Sequence, residues 1–343
     1  MYEEGYKCYF SENKIWLVDN VPAKYIKFKS LTDMEHENKQ SSIKITLLGI
    51  GGAGLNTVSR LHDKLTDIHT VAICTDELSL SKSQAKTHLL IGKQTANGRG
   101  AGGNPKTGEK AARENEAAIR DIIKDTDVVF LTAGLAGGTG AGACYVASQI
   151  AKNMGIITIA FFIMPFGFEG PDKELIARQA AKKISGIIDA YLPIENEKLI
   201  MVCSKNTLMT TAYELIDRNI ENFINTISDI INTDKRKTLE LLFKKTGKLF
   251  FGSGQSSRKE GPLTALTRAL NNPLIDSSIE DTTNIILSVR GKKILPGDVN
   301  NIFNGIKEVN ENAAIIHSVN VYENSDYIVS IIAAQKTQNS KNA

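Results

Sequence analysis

The sequence lacks long apolar runs and any block of charge of one sign. Its longest apolar stretch, "GIITIAFFIMPF" from Gly155, is too short to span a bilayer and is typical of a buried strand. The formal net charge is only +3, with acids and bases interspersed, so nothing indicates a surface for nucleic acid or anionic lipid. We therefore expect no direct membrane anchor and no nucleic-acid partner.

Cysteine is scarce, and its spacing excludes the common metal motifs. No CxxC or other metal-ligand spacing relates the four cysteines, and most of them lie in apolar surroundings where a reduced thiol acts as a small hydrophobe. The N-terminus carries Glu3 and Glu4 and no apolar h-region, which argues against a signal peptide. We therefore expect a reduced, cytoplasmic protein without a metal site built from protein ligands. The cysteines are Cys8, Cys74, Cys144 and Cys203.

The pattern of apolar runs predicts an α/β fold. At 343 residues and 42% hydrophobic, the chain can bury large cores, and its length alone suggests about two domains. From Ile43 onwards apolar runs alternate with helical stretches, which predicts a Rossmann-like parallel sheet covered on both faces. The predicted strands are "IKITLLGI", "TVAICTD", "THLLIGK", "DVVFLTAG", "GIITIAFFIMPF" and "EKLIMVC".

The rest of the chain predicts a long helix and a smaller domain. Residues 207–231 place apolar side chains three and four positions apart, which predicts one helix with a broad buried stripe. A helix at 238–244, a helix over "LTALTRALNNPL", and the strands "TNIILSVRG", "AAIIHSVNVY" and "DYIVSIIAA" around the helix "PGDVNNIFNGIKEV" predict an α+β domain. The predicted units are an N-terminal extension at 1–40, an α/β domain at 41–206, the helix at 207–231, a C-terminal domain at 232–335 and a flexible tail at 336–343.

The extension itself contains short aromatic and β-branched runs. "KCYF", "KIWLVD" and "KYIKF" are separated by polar residues and one proline, a pattern that favours a small strand extension. The sole tryptophan, Trp16, lies in the second of these runs. Two roles remain open for this segment, a membrane or partner tether and a cover for an edge strand.

Three glycine-rich segments follow predicted strands of the first domain. "GIGGAG", Gly49 to Gly54, fits GxGxxG, and Asp76 ends the next strand where a ribose-binding acid belongs, so this pair alone indicates NAD. "NGRGAGGNP" from Asn97 and "GLAGGTGAG" from Gly134 are the other two, and the last holds five glycines in nine positions.

Glycine lets backbone N–H groups turn toward an anion, and helix N-termini add partial positive charge. Three such loops on one sheet edge favour a longer polyphosphate than one pyrophosphate. The absence of GxxxxGK[ST] excludes a Walker P-loop. For any single loop, tight turns for helix–sheet packing remain the alternative.

The order of the motifs resembles that of the tubulin and FtsZ family. "GLAGGTGAG" is similar to the family's signature loop, and "GIGGAGLNTV", "ICTDE", "GRGAGGNPKTGEKAARE", "MPFGFEG" and "IENEKL" fall in the family's order and spacing over residues 41–335. The resemblance implies a GTP-binding domain, a long central helix and a C-terminal activation domain in a subunit that stacks head to tail. It also implies GTP or GDP as the ligand, with Mg²⁺ as a candidate companion.

The resemblance assigns phosphate contacts to the glycine-rich loops and to the residues after the second strand. Alanine replaces the usual residue at Ala136 and Ala141, and Cys74 replaces the usual Asn. Alanine keeps its backbone N–H, so phosphate binding is expected to survive. We expect Thr139→Ala with Gly140→Val to abolish nucleotide binding in a folded protein. The matching positions are Gly51, Gly52, Gly54, Asn56, Thr75, Asp76, Gly100, Ala101, Gly102, Gly103, Asn104, Gly137, Gly138, Thr139, Gly140 and Gly142.

Five further positions match the family's sugar and base contacts. Glu169 and Asn196 match the ribose and base contacts, and Lys173 stands where Arg is usual and cannot make its bidentate contact. Tyr213 falls at the aromatic that stacks on guanine, and Asp217, one turn later, at the acid that reads the base. A carboxylate accepts from N1–H and the exocyclic amine of guanine, which adenine cannot supply. A solvated acid on a helix is the alternative for Asp217.

The family's catalytic loop is altered in this sequence. The family pattern GxxNxDxAD follows the long helix, enters the next subunit's nucleotide site and positions the attacking water. Here "NTDKRKT" follows "ISDII" at once and is several residues shorter; Asn232 and Asp234 match the N and the first D, and Lys237 occupies the second Asp position. An ammonium is no general base at neutral pH unless its pKa falls by several units. The alternative is a slipped alignment in which Asp229 serves instead.

These features together predict an FtsZ-like, guanine-nucleotide-binding cytoskeletal protein with weak or absent GTP hydrolysis. The expected partners are further copies in a longitudinal filament or a co-assembling homologue. The chain ends soon after its last predicted strand, so we expect it to lack the adaptor-binding peptide usual in division FtsZ. An active FtsZ-type division GTPase and, more remotely, a Rossmann NAD-binding oxidoreductase are the alternatives.

Overall fold

The computed structural model describes most of the chain, and all statements below concern that part. We number its strands in chain order, and the first two form a short N-terminal hairpin. The described residues are 7–11, 14–18, 43–231, 236–244, 246–273, 278–280, 282–323 and 325–335. The strands are β1 (Lys7–Ser11), β2 (Lys14–Val18), β3 (Ile45–Ile50), β4 (His69–Cys74), β5 (Thr87–Leu90), β6 (Val128–Gly134), β7 (Ile157–Met164), β8 (Ala190–Glu195), β9 (Gly247–Ser256), β10 (Thr282–Gly291), β11 (Ala314–Val321) and β12 (Tyr327–Gln335).

Helices connect the strands of the first part and continue into the second. A short 3₁₀ turn, Gly167–Glu169, also follows β7. The helices are α1 (Gly51–Leu61), α2 (Glu77–Ser81), α3 (Lys93–Ala96), α4 (Pro105–Glu114), α5 (Glu116–Ile123), α6 (Gly138–Asn153), α7 (Pro171–Ser185), α8 (Glu197–Val202), α9 (Met209–Ile231), α10 (Arg236–Phe243), α11 (Pro262–Leu270) and α12 (Pro296–Val309). No helix among the described residues combines the length and apolar composition needed to cross a bilayer.

Ten strands form one sheet, which confirms the predicted α/β fold. The order across the sheet is β11-β10-β12-β9-β8-β7-β6-β3-β4-β5, and β1 pairs with β2 in a separate antiparallel hairpin. All pairs from β9 to β5 are parallel, whereas β12 runs antiparallel to both of its neighbours. Parallel pairs need crossover helices, and these cover both faces of the sheet.

The long helix α9 packs its apolar stripe against one face of the sheet. Ile216, Ile220, Phe223, Ile224 and Ile227 recur three and four positions apart and are almost fully buried. The Phe223 ring meets the rings of two strand residues edge-on, with centroids 6.2 Å from Phe130 and 5.2 Å from Phe161. Removing such apolar surface from water is the main favourable contribution to folding, at roughly 25 cal/mol per Å².

The predicted strand "EKLIMVC" is wrong, because the structure forms helix α8 there. In the helix Leu199 is buried, while Ile200 and Met201 are 55% and 83% exposed. A short apolar run cannot distinguish a strand from a helix by periodicity alone. The strand is instead β8, "AYLPIE", whose central Pro193 disfavours a strand prediction. Among the described residues, β8 pairs with β9 only at Ala190 and Tyr191. Pro193 therefore lies just beyond the point where this pairing ends.

Strand β9 is not predicted from the sequence, because its second half, "GSGQS", contains two glycines. The glycines are needed for packing. A Cβ on Gly252 would lie 1.8 Å from the Ala269 carbonyl oxygen, and one on Gly254 would lie 2.1 Å from that of Ala265. Only glycine lets helix α11 approach the strand this closely.

Candidate functional site

A cavity of about 490 Å³ lies where β3, β6 and β7 end. The loops that follow these parallel strands meet at one sheet edge, which is where open α/β sheets bind ligands. All three glycine-rich segments contribute, through Gly52, Gly103 and Gly137 among others. The volume lies within the range of about 300–1,000 Å³ that is typical of small-molecule sites.

Most of the predicted contact residues line this cavity, although they come from distant parts of the chain. They span from helix α1 to helix α9. The predicted residues on the cavity wall are Gly52, Asn56, Ala101, Gly103, Gly137, Gly138, Thr139, Gly140, Glu169, Lys173, Asn196 and Tyr213. Those that do not line it are Gly51, Gly54, Thr75, Asp76, Gly100, Gly102, Asn104, Gly142 and Asp217.

Two helix N-termini open at the cavity. Helix α1 begins at Gly51 and helix α6 at Gly138, and no side chain caps either N-terminus in the described structure. The first N–H groups of a helix have no intrahelical acceptor and carry partial positive charge. The edge is therefore suited to an anionic group such as a phosphate chain.

The glycines at this edge serve two different purposes. A Cβ added at Gly52 or Gly103 would meet no heavy atom within 4 Å, so these positions keep space open. A Cβ at Gly54 would lie 2.3 Å from the Thr132 carbonyl oxygen, and one at Gly140 would lie 2.2 Å from that of Gly134. Gly54 and Gly140 therefore allow helices to pack on strand β6, and substitution there threatens the fold.

Gly51 and Gly142 also act through packing. Gly51 has φ +71°, and its added Cβ would lie 2.8 Å from the Gly140 amide nitrogen, so this residue holds two glycine-rich loops together. A Cβ on Gly142 would lie 2.1 Å from the Pro105 carbonyl oxygen. Helices α4 and α6 depend on that close approach.

The residues after β4 support the loops from behind the cavity wall. The hydroxyls of Thr75 and Thr139 are 2.6 Å apart and share a hydrogen bond, which joins the β4 loop to the start of α6. Asp76 is the N-cap of helix α2 and accepts from the Ser79 amide at 2.6 Å; hydrogen bonds from the Ser79 side chain and from this amide lower the pKa of Asp76. Asp76 is therefore already used as a helix cap, which weakens the NAD interpretation.

The glycine-rich segment "NGRGAGGNP" adopts a left-handed backbone conformation before helix α4. Gly100, Gly102 and Gly103 have φ of +84°, +58° and +74°, a region that favours glycine. Asn104 then caps α4 by accepting from the Lys106 amide at 2.9 Å. The loop is thus built from the residues that its conformation demands.

Polar side chains lie on the opposite wall. Lys173 donates to Glu169 at 2.9 Å, and the other oxygen of Glu169 accepts from the Phe166 amide at 3.0 Å. Asn196 is 6% exposed, and its Oδ1 atom is buried without a hydrogen-bond partner in the described structure. Because an unpaired buried acceptor is costly, it indicates a ligand that donates a hydrogen bond there.

Asp217 lies behind the cavity wall and is covered by an arginine. Arg60 donates Nη2–H to Asp217 Oδ1 at 3.1 Å and Nε–H to Oδ2. Asp217 is 1% exposed, and burial raises its pKa, although Arg60 acts in the opposite direction. The alternative that Asp217 is a freely solvated acid is therefore excluded.

Arg60 is a wall residue that is not predicted from the sequence. A signal for it was present: Asn56 and Arg60 are four residues apart on α1, so they share a helix face. Tyr213, on the facing helix α9, also lines the cavity, and burial raises its pKa.

Comparison with known proteins agrees with this arrangement. Residues 44–204 match the model of the Tubulin/FtsZ family, GTPase domain. The chain is 33% identical over 302 residues to Cell division protein FtsZ 1 of Methanocaldococcus jannaschii, an alignment that covers 86% of this chain and 83% of the relative. This chain belongs to the tubulin/FtsZ family.

Solved structures of the tubulin/FtsZ family share the fold. An empty FtsZ dimer from M. jannaschii matches with a TM-score of 0.81 at 31% identity, over 89% of this chain and 92% of that one. CetZ2 from Haloferax volcanii, solved as a GTPγS-bound protofilament, matches with a TM-score of 0.72 at 20% identity, over 87% of this chain and 95% of that one. The second likeness concerns the fold alone.

The predicted catalytic-loop positions of this tubulin/FtsZ family member lie mostly outside the described residues. Asn232 and Asp234 belong to residues 232–235, which the structure does not describe, and Lys237 lies in the first turn of α10. Asp229 accepts from Arg290 Nε at 2.6 Å and from the Ser288 hydroxyl at 2.8 Å. An acid held in this way does not support the alternative that Asp229 serves as the catalytic acid.

The described residues contain no group of three or more His, Cys, Asp or Glu side chains that could hold a metal ion. Mg²⁺ at a nucleotide site takes most of its ligands from phosphate and water. The Mg²⁺ prediction therefore depends on a bound polyphosphate rather than on a metal cage.

Proposed function

We propose that this chain is an FtsZ-like protein that binds GTP or GDP in the cavity, self-assembles head to tail, and hydrolyses GTP weakly or not at all. The observation that carries the proposal is the meeting of three glycine-rich loops and two helix N-termini at one cavity. These groups suit the phosphates of the nucleotide. Thr139 and Gly103 would contact them, and a bound Mg²⁺ would neutralise part of their charge.

The other end of the cavity suits a guanosine. Glu169 and Lys173 line the cavity and would contact the ribose, and the unpaired Oδ1 of Asn196 would accept from the ligand. Tyr213 offers an aromatic face at the wall, and the Asp217 carboxylate behind Arg60 could accept from N1–H and the exocyclic amine of guanine. A base without those two donors would leave a buried carboxylate unpaired, which favours guanine over adenine.

Self-assembly is supported by exposed apolar side chains around this edge. Phe168, Met201 and Leu208 are 72%, 83% and 70% exposed, on three segments that follow β7 and β8. Exposed apolar groups that lie together mark interaction surfaces, and the segments that follow the parallel neighbours β7 and β8 leave the sheet at the same edge. The FtsZ structure from M. jannaschii is a dimer and the CetZ2 structure is a protofilament, and we propose that this chain also assembles.

Weak hydrolysis is proposed from the sequence around Lys237. Lys237 stands where the resemblance assigns the second catalytic Asp, and the segment from Asn232 to Lys259 carries eight Lys or Arg against two acids. Such a surface would attract a neighbour's triphosphate without activating water. The name of the FtsZ 1 relative favours the second candidate, an active division GTPase.

Calorimetric titration with GTP, GDP, ATP and NADH tests nucleotide binding, and electron microscopy with GTP, with GDP and without nucleotide tests assembly. We expect guanine nucleotides alone to bind and GTP to promote filaments. Equal affinity for ATP would contradict the assignment of the base contacts. Phosphate release at the speed of an active division FtsZ would favour the second candidate.

A further inference from the structure

Arg60 binds Asp217 through the same pair of hydrogen bonds that a guanine base would make with this carboxylate. The guanidinium presents Nε–H and Nη2–H to the two oxygens of one carboxylate. Guanine presents N1–H and its exocyclic N–H in the same forked arrangement, because N1, C2 and N2 of the base form a guanidine fragment. Each fork fits a carboxylate as two parallel hydrogen bonds.

The acceptor capacity of Asp217 does not allow both forks at once. A carboxylate offers about four lone-pair sites. Arg60 occupies two of them, and Thr57 also hydrogen-bonds to the same carboxylate. About one site remains, whereas guanine requires two.

The burial pattern agrees with this competition. Arg60 and Thr57 line the cavity, but Asp217 does not and is only 1% exposed. The Arg60 side chain keeps 36% of its surface exposed, so it has solvent to move into. The guanidinium therefore stands between the acid and the cavity, at the place where a base edge would arrive.

We propose that Arg60 is an internal mimic of the guanine edge, which covers Asp217 and must swing aside before a guanine base can bind. The inference rests on the proposed function. It makes Arg60 a gate for the base rather than a nucleotide contact. Arg60 also keeps the buried carboxylate hydrogen-bonded until a ligand with an equivalent pair of donors replaces it. Adenine lacks that pair of donors, so this arrangement adds selectivity for guanine.

The test compares wild type, Arg60→Ala and Arg60→Gln by stopped-flow binding of a fluorescent GTP analogue and by calorimetry. Loss of a cation alone should slow the approach of an anionic ligand. A gate predicts the opposite sign: Arg60→Ala should bind about tenfold faster and tighter, as expected if the open state is populated about one-tenth of the time. Arg60→Gln, which keeps one donor, should lie between.

Lys64→Ala is the matched control. Lys64 lies one turn beyond Arg60 and pairs with Glu221 at 3.5 Å, so the variant removes the same charge without uncovering Asp217. It should bind no faster than wild type. Slower or weaker binding in Arg60→Ala, or equal acceleration in Lys64→Ala, would overturn the gate.

A second measurement uses the unmodified side chain. The Arg60 Nε–H resonance, assigned by its loss in Arg60→Gln, should be protected from exchange and should lose that protection when GDP is added. Persistent protection with GDP bound would overturn the gate while leaving nucleotide binding intact. If neither wild type nor Arg60→Ala binds guanine nucleotides, the proposed function and the gate both fail.

Discussion

Asp229 and Arg290 join the long helix α9 to strand β10 through a hydrogen bond of 2.6 Å between Arg290 Nε and Asp229 Oδ2. The two side chains keep only 17% and 12% of their surface exposed, and Ser288 donates to the same oxygen at 2.8 Å. Because the helix also carries Tyr213 and Asp217, the proposed base contacts, near its other end, this pair fixes that helix to the C-terminal strands.

Arg290→Ala is expected to lower the free energy of unfolding by about 3 kcal/mol, because it leaves a mostly buried carboxylate without its charged partner. Urea denaturation followed by circular dichroism measures the change. The control is Arg178→Ala, which breaks an exposed pair with Glu174 on α7 and should leave the midpoint nearly unchanged. Equal midpoints for the two variants would contradict the structural role of the Asp229–Arg290 pair.

Gly52→Val and Gly140→Val should fail in different ways. The Gly52 site is open, so valine there should leave the protein folded and block the nucleotide. Valine at Gly140 would clash with the Gly134 carbonyl oxygen, 2.2 Å from the added Cβ, and should lower stability by several kcal/mol. Thermal unfolding and GTP titration separate the two. A stable Gly140→Val would restore the sequence-based expectation of a folded, non-binding variant.

Gly52 and Gly140 show which features of the site the sequence predicts and which it does not. The motifs locate the loops correctly, because glycine at a strand end is a local signal. Whether a glycine faces ligand space, like Gly52, or a carbonyl oxygen on a strand, like Gly140, depends on atoms far away in the chain. The same limit applies to Arg60: a basic residue on α1 gives no local sign of the acid at position 217 that it meets.

The prediction of secondary structure is wrong where local signals conflict. Helix α8 buries one apolar side chain and exposes the next two, so its run of apolar letters imitates a strand. Strand β8 contains Pro193, and β9 contains Gly252 and Gly254, all residues that usually argue against a strand. Packing at the junction between the two parts of the sheet overrides these preferences.

Asp217→Asn should change the base that is bound. The amide accepts from N1–H and donates to the C2 oxygen of xanthine, while it repels the guanine amine, so we expect GTP to lose about 1–3 kcal/mol and xanthosine triphosphate to gain. Calorimetry with both nucleotides measures the exchange. Glu221→Gln, an acid one turn later on α9, is the control and should keep GTP preference. A variant that still prefers GTP would refute base reading by Asp217.

The raised pKa of Asp217 predicts an acid-sensitive site. Burial disfavours the charged form, so the carboxylate protonates at a higher pH than an ordinary Asp with a pKa of about 3.9. GTP affinity should therefore fall as pH drops through that raised value. The contribution to stability has the opposite sign: it is complete below the unfolded pKa and is lost as pH rises through the folded one.

Titrations of GTP from about pH 7 down to about pH 4.5 test this dependence, in a range centred above the unperturbed Asp value. GTP binding to Asp217→Asn, although weaker, provides the control, because neither the amide nor the guanine base titrates in this range. If GTP affinity of wild type stays constant while the protein remains folded, Asp217 does not accept from the base. Parallel losses in both proteins would point to phosphate protonation instead.

Lys237 carries the last prediction, on the rate of hydrolysis. Losing a water-positioning carboxylate costs about 10²–10⁴-fold in rate, so phosphate release should be far below that of an active division FtsZ even where filaments form. Lys237→Asp alone should restore little, because the segment is also short and a misplaced carboxylate is ineffective. Rebuilding the family's full loop, with both acids, should raise the rate, and filaments of wild type should dissolve at high salt as the ammonium–phosphate attraction is screened. Rapid wild-type turnover that survives Lys237→Ala but is lost in Asp234→Ala would instead establish an ordinary GTPase.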